Sequence, residues 1–389
     1  MMKRSTLPHP VAAGPGTPRY PGTTRMLYCF AVGTLFLYLV PEERPFLMVI
    51  QPSTLPNGTI IATTTFLVPS FEEPRARLLH MPFRAALSTI PYAEHWNPYA
   101  TLRAAPIWHG NTTSSPHLMV DDEMRDFIAR GLGAHGFTVS GLRGEVEAVR
   151  QTKTAREVGI LCAVNTGTVE AIRAVRKCLY RGVREHEVAA VLDRTMRVAG
   201  LAPFFDIVEF GESAALPHGG HDGMRALEPG DFVLVDVGAH LYGYSSDVSR
   251  TFYPPFFPHP APPRYNVTEK LAVWQLVLDA QAASVGAMVP NGTAAAVDIA
   301  AREVIEAAGY GKYFTHRLGH SIGIKAHESP YLNKGNFGAV LRLGMVFTSE
   351  PGVYVPDEFG VRYEDVLVVK EDGDAENISG GFANSPWEP

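Results

Sequence analysis

Three observations predict an α+β protein of two domains. The chain has 389 residues, more than one hydrophobic core ordinarily serves. Near Thr152 a proline-rich region of strands and turns gives way to long helical periodicity. Beyond that point, helix pairs alternate with strand pairs that turns can close into antiparallel units. These changes of texture divide the chain into a flexible segment (1–25), a smaller N-terminal domain (26–150) and a larger C-terminal domain (151–389).

The elements follow in order. Met26–Val40 is an uncharged apolar run, shorter than the roughly twenty residues of a membrane span. It reads as one or two buried strands, with a signal-type apolar core as the alternative. Phe46–Ile50 and Ile60–Val68 are strand candidates, and Asp121–Leu132 a short helix. From Lys153 or Thr154 a long helix carries Val158, Leu161, Val169, Ile172, Val175 and Leu179 on one stripe. Arg181-Gly182 stops it, and Arg184–Ala199 forms a second helix. Phe232–Val237 is a strand closed by Gly238, with Val248–Tyr253 as its hairpin partner. Glu269–Val289 and Ala294–Ala308 are helices, and Met345–Tyr354 and Val361–Val369 are strands joined near Pro356-Asp357.

Composition excludes several classes. Forty-six per cent hydrophobic and 19% charged residues fit a globular chain. The net charge of −6, with no basic run, argues against a nucleic-acid partner. Three cysteines without a C-x-x-C argue against a disulfide framework or a thiolate zinc site, and Cys162 and Cys178 read as small core residues. Five N-x-[ST] sequons, at Asn57, Asn111, Asn266, Asn291 and Asn377, hint at secretory passage.

Chemistry enters with acids set in apolar strands. Asp236 sits in LVDVG and Asp247 in SSDVSRTF; Glu350 sits in FTSEPGVY and Glu364 in VRYEDVLVV. A carboxylate buried among Val and Leu is costly unless paired. Any one of the four fits a salt-bridged or capping residue. Four acids on four strands, in two hairpin-like pairs, are better explained by bound cations, since like charges that converge repel without one. His316, His320 and His327 fall within twelve residues, interleaved with Gly319 and Gly323, and His320 is the best nitrogen ligand. A nitrogen in an oxygen-rich shell shifts the preference toward Mn, Co or Zn. H-E-x-x-H, G-x-S-x-G and glycine-rich phosphate loops are missing.

The ordered motifs PHGG (217–220), LVDVGA (234–239), SDVSRTF (246–252), HRLGHSIGIKAHE (316–328), SEPGVY (349–354) and VRYEDVLVV (361–369) resemble those of the pita-bread metallopeptidases. That family includes aminopeptidase P, prolidase and methionine aminopeptidase. The resemblance spans about 153–370 and implies a catalytic domain of duplicated helix-plus-antiparallel-strand units. It implies two divalent metals, Mn first and Co or Zn otherwise. Asp236 and Asp247 would bind one, His320 and Glu350 the other, with Asp247 and Glu364 bridging. His218 and His327 would contact substrate, His316 would line the pocket for the residue after the scissile bond, and Arg362 would orient a ligand carboxylate. Upstream, ERPFLMVI (43–50), VPSFEEPRAR (68–77) and HWNPY (95–99) resemble, less specifically, the α/β N-terminal domain of creatinase and the proline-specific branch, here shortened at its start.

The resemblance therefore implies a homodimeric exopeptidase that hydrolyses the X-Pro bond of dipeptides or short peptides through a metal-bridging hydroxide, with Glu350 shuttling the proton. Arg317 and Arg342 are candidates for reading a substrate carboxylate. Two alternatives stand beside it: a catalytically silent binding module, and a creatinase-like amidinohydrolase. The silent module loses ground because no ligand is missing, and the amidinohydrolase because creatinases do not keep the five-ligand set. The family implies a cytoplasmic location; the apolar run 26–40 and the sequons point instead to secretion or a membrane.

Overall fold

The computed structural model describes residues 27–31, 44–78, 88–108, 115–121, 124–142 and 144–389. Residues 1–25, most of Met26–Val40 and the Asn111 sequon lie outside them. The chain divides into two compact units, one ending at Arg143 and one beginning at Gly144.

The first unit is built on a six-stranded sheet. Its strands are β1 (Leu27–Ala31), β2 (Leu47–Thr54), β3 (Ile60–Pro69), β4 (Ser88–Tyr92), β5 (His117–Val120) and β6 (Thr138–Gly141), in the order β4-β3-β2-β1-β5-β6. Strands β1, β2 and β3 pair antiparallel, while β4, β5 and β6 add in parallel. Leu47, Val49, Leu67, Leu102, Leu118 and Leu132 form its core. The helix expected from Asp121 starts at Asp126.

The second unit repeats one design, a helix pair on an antiparallel sheet. Ala155–Arg176 starts with a capping box. Thr154 accepts from Glu157 N–H and the Glu157 carboxylate accepts from Thr154 N–H. This helix is apolar and long enough to span a membrane by composition, but its Leu161, Val164, Val169 and Ile172 are buried in the unit's core. Glu185–Val198 follows. Both helices pack on β7 (Ala202–Phe210), β8 (Val233–Leu241) and β10 (Val248–Phe252), in the order β10-β8-β7, with β9 (Tyr244–Ser245) paired to β8. The second repeat sets helices Thr268–Ala287 and Ala294–Ala307 against β11 (Gly319–Ser321), β12 (Glu328–Leu332), β13 (Val346–Ser349), β16 (Asp365–Val368) and β17 (Glu376–Asn377). A separate hairpin pairs β14 (Gly352–Val355) with β15 (Phe359–Arg362).

Three further expectations change. Gly238 does not close β8, which runs on to Leu241; a Cβ there would lie 2.3 Å from the Phe205 ring, so the glycine makes room for an aromatic. The strands expected over 345–354 and 361–369 are each broken in two, at Glu350-Pro351 and at Tyr363-Glu364. Cys162 and Cys178 are exposed. Cys162 lies one residue beyond buried Leu161, about 100° around the helix and off the packed stripe. Cys178 lies two residues beyond the helix's last residue, Arg176.

Candidate metal centre

Each candidate ligand is set by a definable backbone feature. Asp236 lies mid-β8, opposite Ile207 of β7 and Ser249 of β10. Asp247 immediately precedes β10, its N–H on the Asn165 side-chain oxygen at 3.3 Å. Glu350 stands where β13 ends: its N–H reaches the Leu318 carbonyl at 2.8 Å, and Pro351 has no N–H to continue a ladder. Glu364 fills the other break, its N–H on the Ser249 carbonyl at 3.1 Å. That bridge ties β10 to the second repeat and brings its acids beside those of the first. His320 lies on β11. A Cβ at Gly319 would stand 2.2 Å from the Thr348 carbonyl oxygen, so glycine lets the His320 backbone approach β13.

The five side chains converge. His320, Glu350 and Glu364 offer ligand atoms all within 4.8 Å of one another, as do Asp236, Asp247 and Glu364. Asp236, Asp247, His320 and Glu364 are all buried. Burial, followed by the charges of Asp236 and Glu350, pushes Asp247 well above the ordinary carboxylate range. Burial does the same to Glu364, with Asp247 and Glu350 adding to it, and lifts Glu350 to about 8. A carboxylate set this strained without a cation is the donor set that a divalent metal relieves. Asp236 adds a second sign: Arg362 donates to its Oδ2 at 2.7 Å, while its buried Oδ1 meets no hydrogen-bond partner.

The imidazole is prepared to match. His320 Nδ1 bonds the Ser321 carbonyl at 3.1 Å, so that nitrogen carries the proton. Nε2 then presents its lone pair, 3.6 Å from Asp247 Oδ2 and 3.5 Å from Glu350 Oε1. Burial, with His327 next, pushes its pKa down to about 3, which keeps the ring neutral. A second chain runs beside it. Arg362 NH1 donates to the Tyr354 hydroxyl at 2.9 Å, and the hydroxyl meets His316 Nε2 at 2.8 Å. His316 Nδ1 bonds the Arg317 carbonyl at 2.7 Å, so Nε2 must accept from Tyr354. Burial holds His316 at a pKa of about 4.

The five candidate ligands, His316 and Arg362 open on one cavity of about 580 Å³, lined also by His218, His327 and Arg317. His327 stands edge-on to His320, ring centroids 4.3 Å apart. The two arginine candidates separate here: Arg317 lines the cavity, whereas Arg342 bonds Gln151 on the surface at 3.0 Å.

The model of metallopeptidase family M24 matches residues 161–371. The chain belongs to metallopeptidase family M24. This M24 chain is 42% identical over 356 residues to an uncharacterized peptidase of Schizosaccharomyces pombe, covering 90% of the chain and 74% of that protein. It is 37% identical over 230 residues to the Xaa-Pro dipeptidase of Pyrococcus furiosus, covering 59% of the chain and 63% of that protein. The crystal structure of a dipeptidase from Pyrococcus horikoshii superposes with a TM-score of 0.76 at 29% identity, over 94% of this chain and 96% of that one. The duplicated second unit is the pita-bread fold of the family.

Further residues of the candidate site were not singled out from the sequence. Ser249 accepts from Arg362 Nε and donates to Glu364 Oε2, both at 2.9 Å. Arg250, fully buried, holds Asp365 Oδ1 at 2.7 Å and the Glu364 carbonyl at 2.8 Å. Thr348 accepts from His320 N–H at 3.2 Å. Ser249 and Arg250 both stand in SDVSRTF, where polar side chains at successive strand positions, one facing each side, were the available signal.

Proposed function

We propose that the chain is a two-metal exopeptidase that hydrolyses the X-Pro bond of dipeptides and short peptides. The observation that carries this reading is the convergence of four carboxylates and the His320 Nε2 lone pair on one cavity. Asp236, Asp247, His320, Glu350 and Glu364 would hold two divalent ions, with manganese the first candidate. When bound, these ions supply Lewis acidity and bring water's pKa toward neutrality.

The chain's own residues do the rest. Glu350 takes the proton from the attacking water and delivers it to the leaving imino nitrogen. His327 and His218 donate to the carbonyl oxygen as negative charge develops on it. Arg362 fixes Asp236 through one fork arm and holds Tyr354 and Ser249 with the others, which orients the ligand set. Arg317 reads the proline's own carboxylate, which is free only in dipeptides and so favours them. Xaa-Pro cleavage by the Pyrococcus furiosus relative, 37% identical, supports the substrate class. The unit before Gly144 is assigned to the creatinase-type N-terminal domain, supported by a structural likeness that extends over 94% of the chain.

Hydrolysis of a panel of X-Pro dipeptides and X-Pro-Y peptides, with Mn, Co and Zn added singly to metal-stripped protein, tests the reading. Metal-dependent cleavage with dipeptides preferred is expected. Absence of X-Pro cleavage with every metal overturns it.

A further inference from the structure

Next to the metal centre lies a second cavity, of about 280 Å³, which shares Ile207 and His218 with the first. Its walls carry the carboxylates Glu185, Asp206, Glu209 and Asp222 beside His186, His218 and His221, and no lysine or arginine. Glu209 is the unusual member. It is 4% exposed, and neither of its oxygens meets a hydrogen-bond partner. Glu185, by contrast, is satisfied, accepting from Phe210 N–H at 2.8 Å. A buried carboxylate with both oxygens unmet costs free energy, and the charge of Arg362, which favours the ionised form without bonding it, offsets only part of that cost. Burial accordingly lifts Glu209 to about 8.

Strand geometry relates this group to the reacting centre. Ile207 and Glu209 alternate onto the same face of β7, roughly 7 Å apart. Ile207 is in register with Asp236, so Glu209 stands one pleat repeat from the metal ligand. A lysine or arginine side chain is smaller than the cavity and long enough to span that distance. A cation would give Glu209 the charge-assisted partner it lacks.

We propose that the Glu209 cavity is a specificity subsite for a cationic side chain of the peptide substrate, a lysine or arginine near the scissile bond. The inference rests on the X-Pro reading above and adds a preference to it.

The test compares kcat/KM for substrates with lysine against norleucine, its uncharged near-isostere, at the first position (Lys-Pro, Nle-Pro) and at the third (Ala-Pro-Lys, Ala-Pro-Nle). Wild type should favour lysine at one of these positions by about tenfold or more. Glu209→Gln should erase that preference while cleaving the norleucine peptides as wild type does. Glu209→Met, checked for an unchanged melting curve, should do the same if glutamine perturbs folding. Equal rates for lysine and norleucine at both positions in wild type overturn the inference, as does a lysine preference that survives both variants. Failure to cleave any of the four peptides instead overturns the X-Pro reading.

Discussion

Arg362 grips Asp236 through Oδ2 at 2.7 Å and leaves the buried Oδ1 without a hydrogen-bond partner. The same guanidinium also donates to Ser249, Tyr354 and the Pro217 carbonyl, each at 2.9 Å. One planar fork thus aligns a candidate ligand and leaves its second oxygen to a cation. Arg362→Lys keeps the charge but cannot serve all four acceptors. Metal affinity should fall about 10–100-fold. Titration of metal-free protein followed by calorimetry checks this, and wild-type affinity in the variant would refute the role.

Metal-free protein should lose stability as pH rises. Asp247, Glu350 and Glu364 have folded-state pKa values raised above the ordinary carboxylate range. A raised folded pKa means that protonation favours the folded state. That contribution is complete below the ordinary range and is lost as pH climbs through the folded value, about 8 for Glu350. Between pH 5 and 9 the melting temperature in chelator should drop by about 5 °C or more. Saturating Mn should reverse the trend, since deprotonated carboxylates bind the ion. A chelated melting temperature that is flat or rising over this range would contradict the assignment.

Tyr354 links Arg362 to His316 and touches none of the candidate ligands by a hydrogen bond. Tyr354→Phe removes the hydroxyl from which neutral His316 accepts. An approximately tenfold loss of kcat/KM is expected, with metal stoichiometry unchanged. Loss of metal in this variant would show that the hydroxyl supports the ligand set instead.

Gly319→Ala would drive a methyl to 2.2 Å from the Thr348 carbonyl oxygen. Because His320 follows directly, the strain falls on a candidate ligand. The variant should lose about 1–3 kcal/mol of stability and bind metal more weakly. Urea denaturation and elemental analysis read both effects; neutral behaviour would mean that β11 and β13 can part without cost.

Cys162 and Cys178 are exposed and unpaired. Both should react with a thiol reagent in native protein, without loss of activity, as judged by peptide mass mapping. Protection of either until denaturation would restore the buried reading.

Much of the candidate metal centre was legible in the chain because burial makes acids conspicuous. Asp236, Asp247, Glu350 and Glu364 stand out among apolar neighbours that would not tolerate them unpaired. The helices were legible too: Thr154 and Glu157 cap the first, and a stripe of aliphatic residues fixes its packed face. Those signals are local, repeating every three or four residues, or they sit within one motif.

Tertiary structure alone decided the rest. Arg362 meets Asp236 across 126 positions of sequence and Ser249 meets Glu364 across 115, and no local period encodes such pairings. The breaks at Glu350 and Glu364 exist because their N–H groups bond Leu318 and Ser249 outside their own hairpin. The proton on His320 is placed by the Ser321 carbonyl, and Cys162 faces outward by a rotation of one residue. Glu209 looks ordinary in the sequence; only the packed fold removes its water and supplies no donor in exchange. Residue identity set which groups could bind a cation, and long-range packing set where each one points.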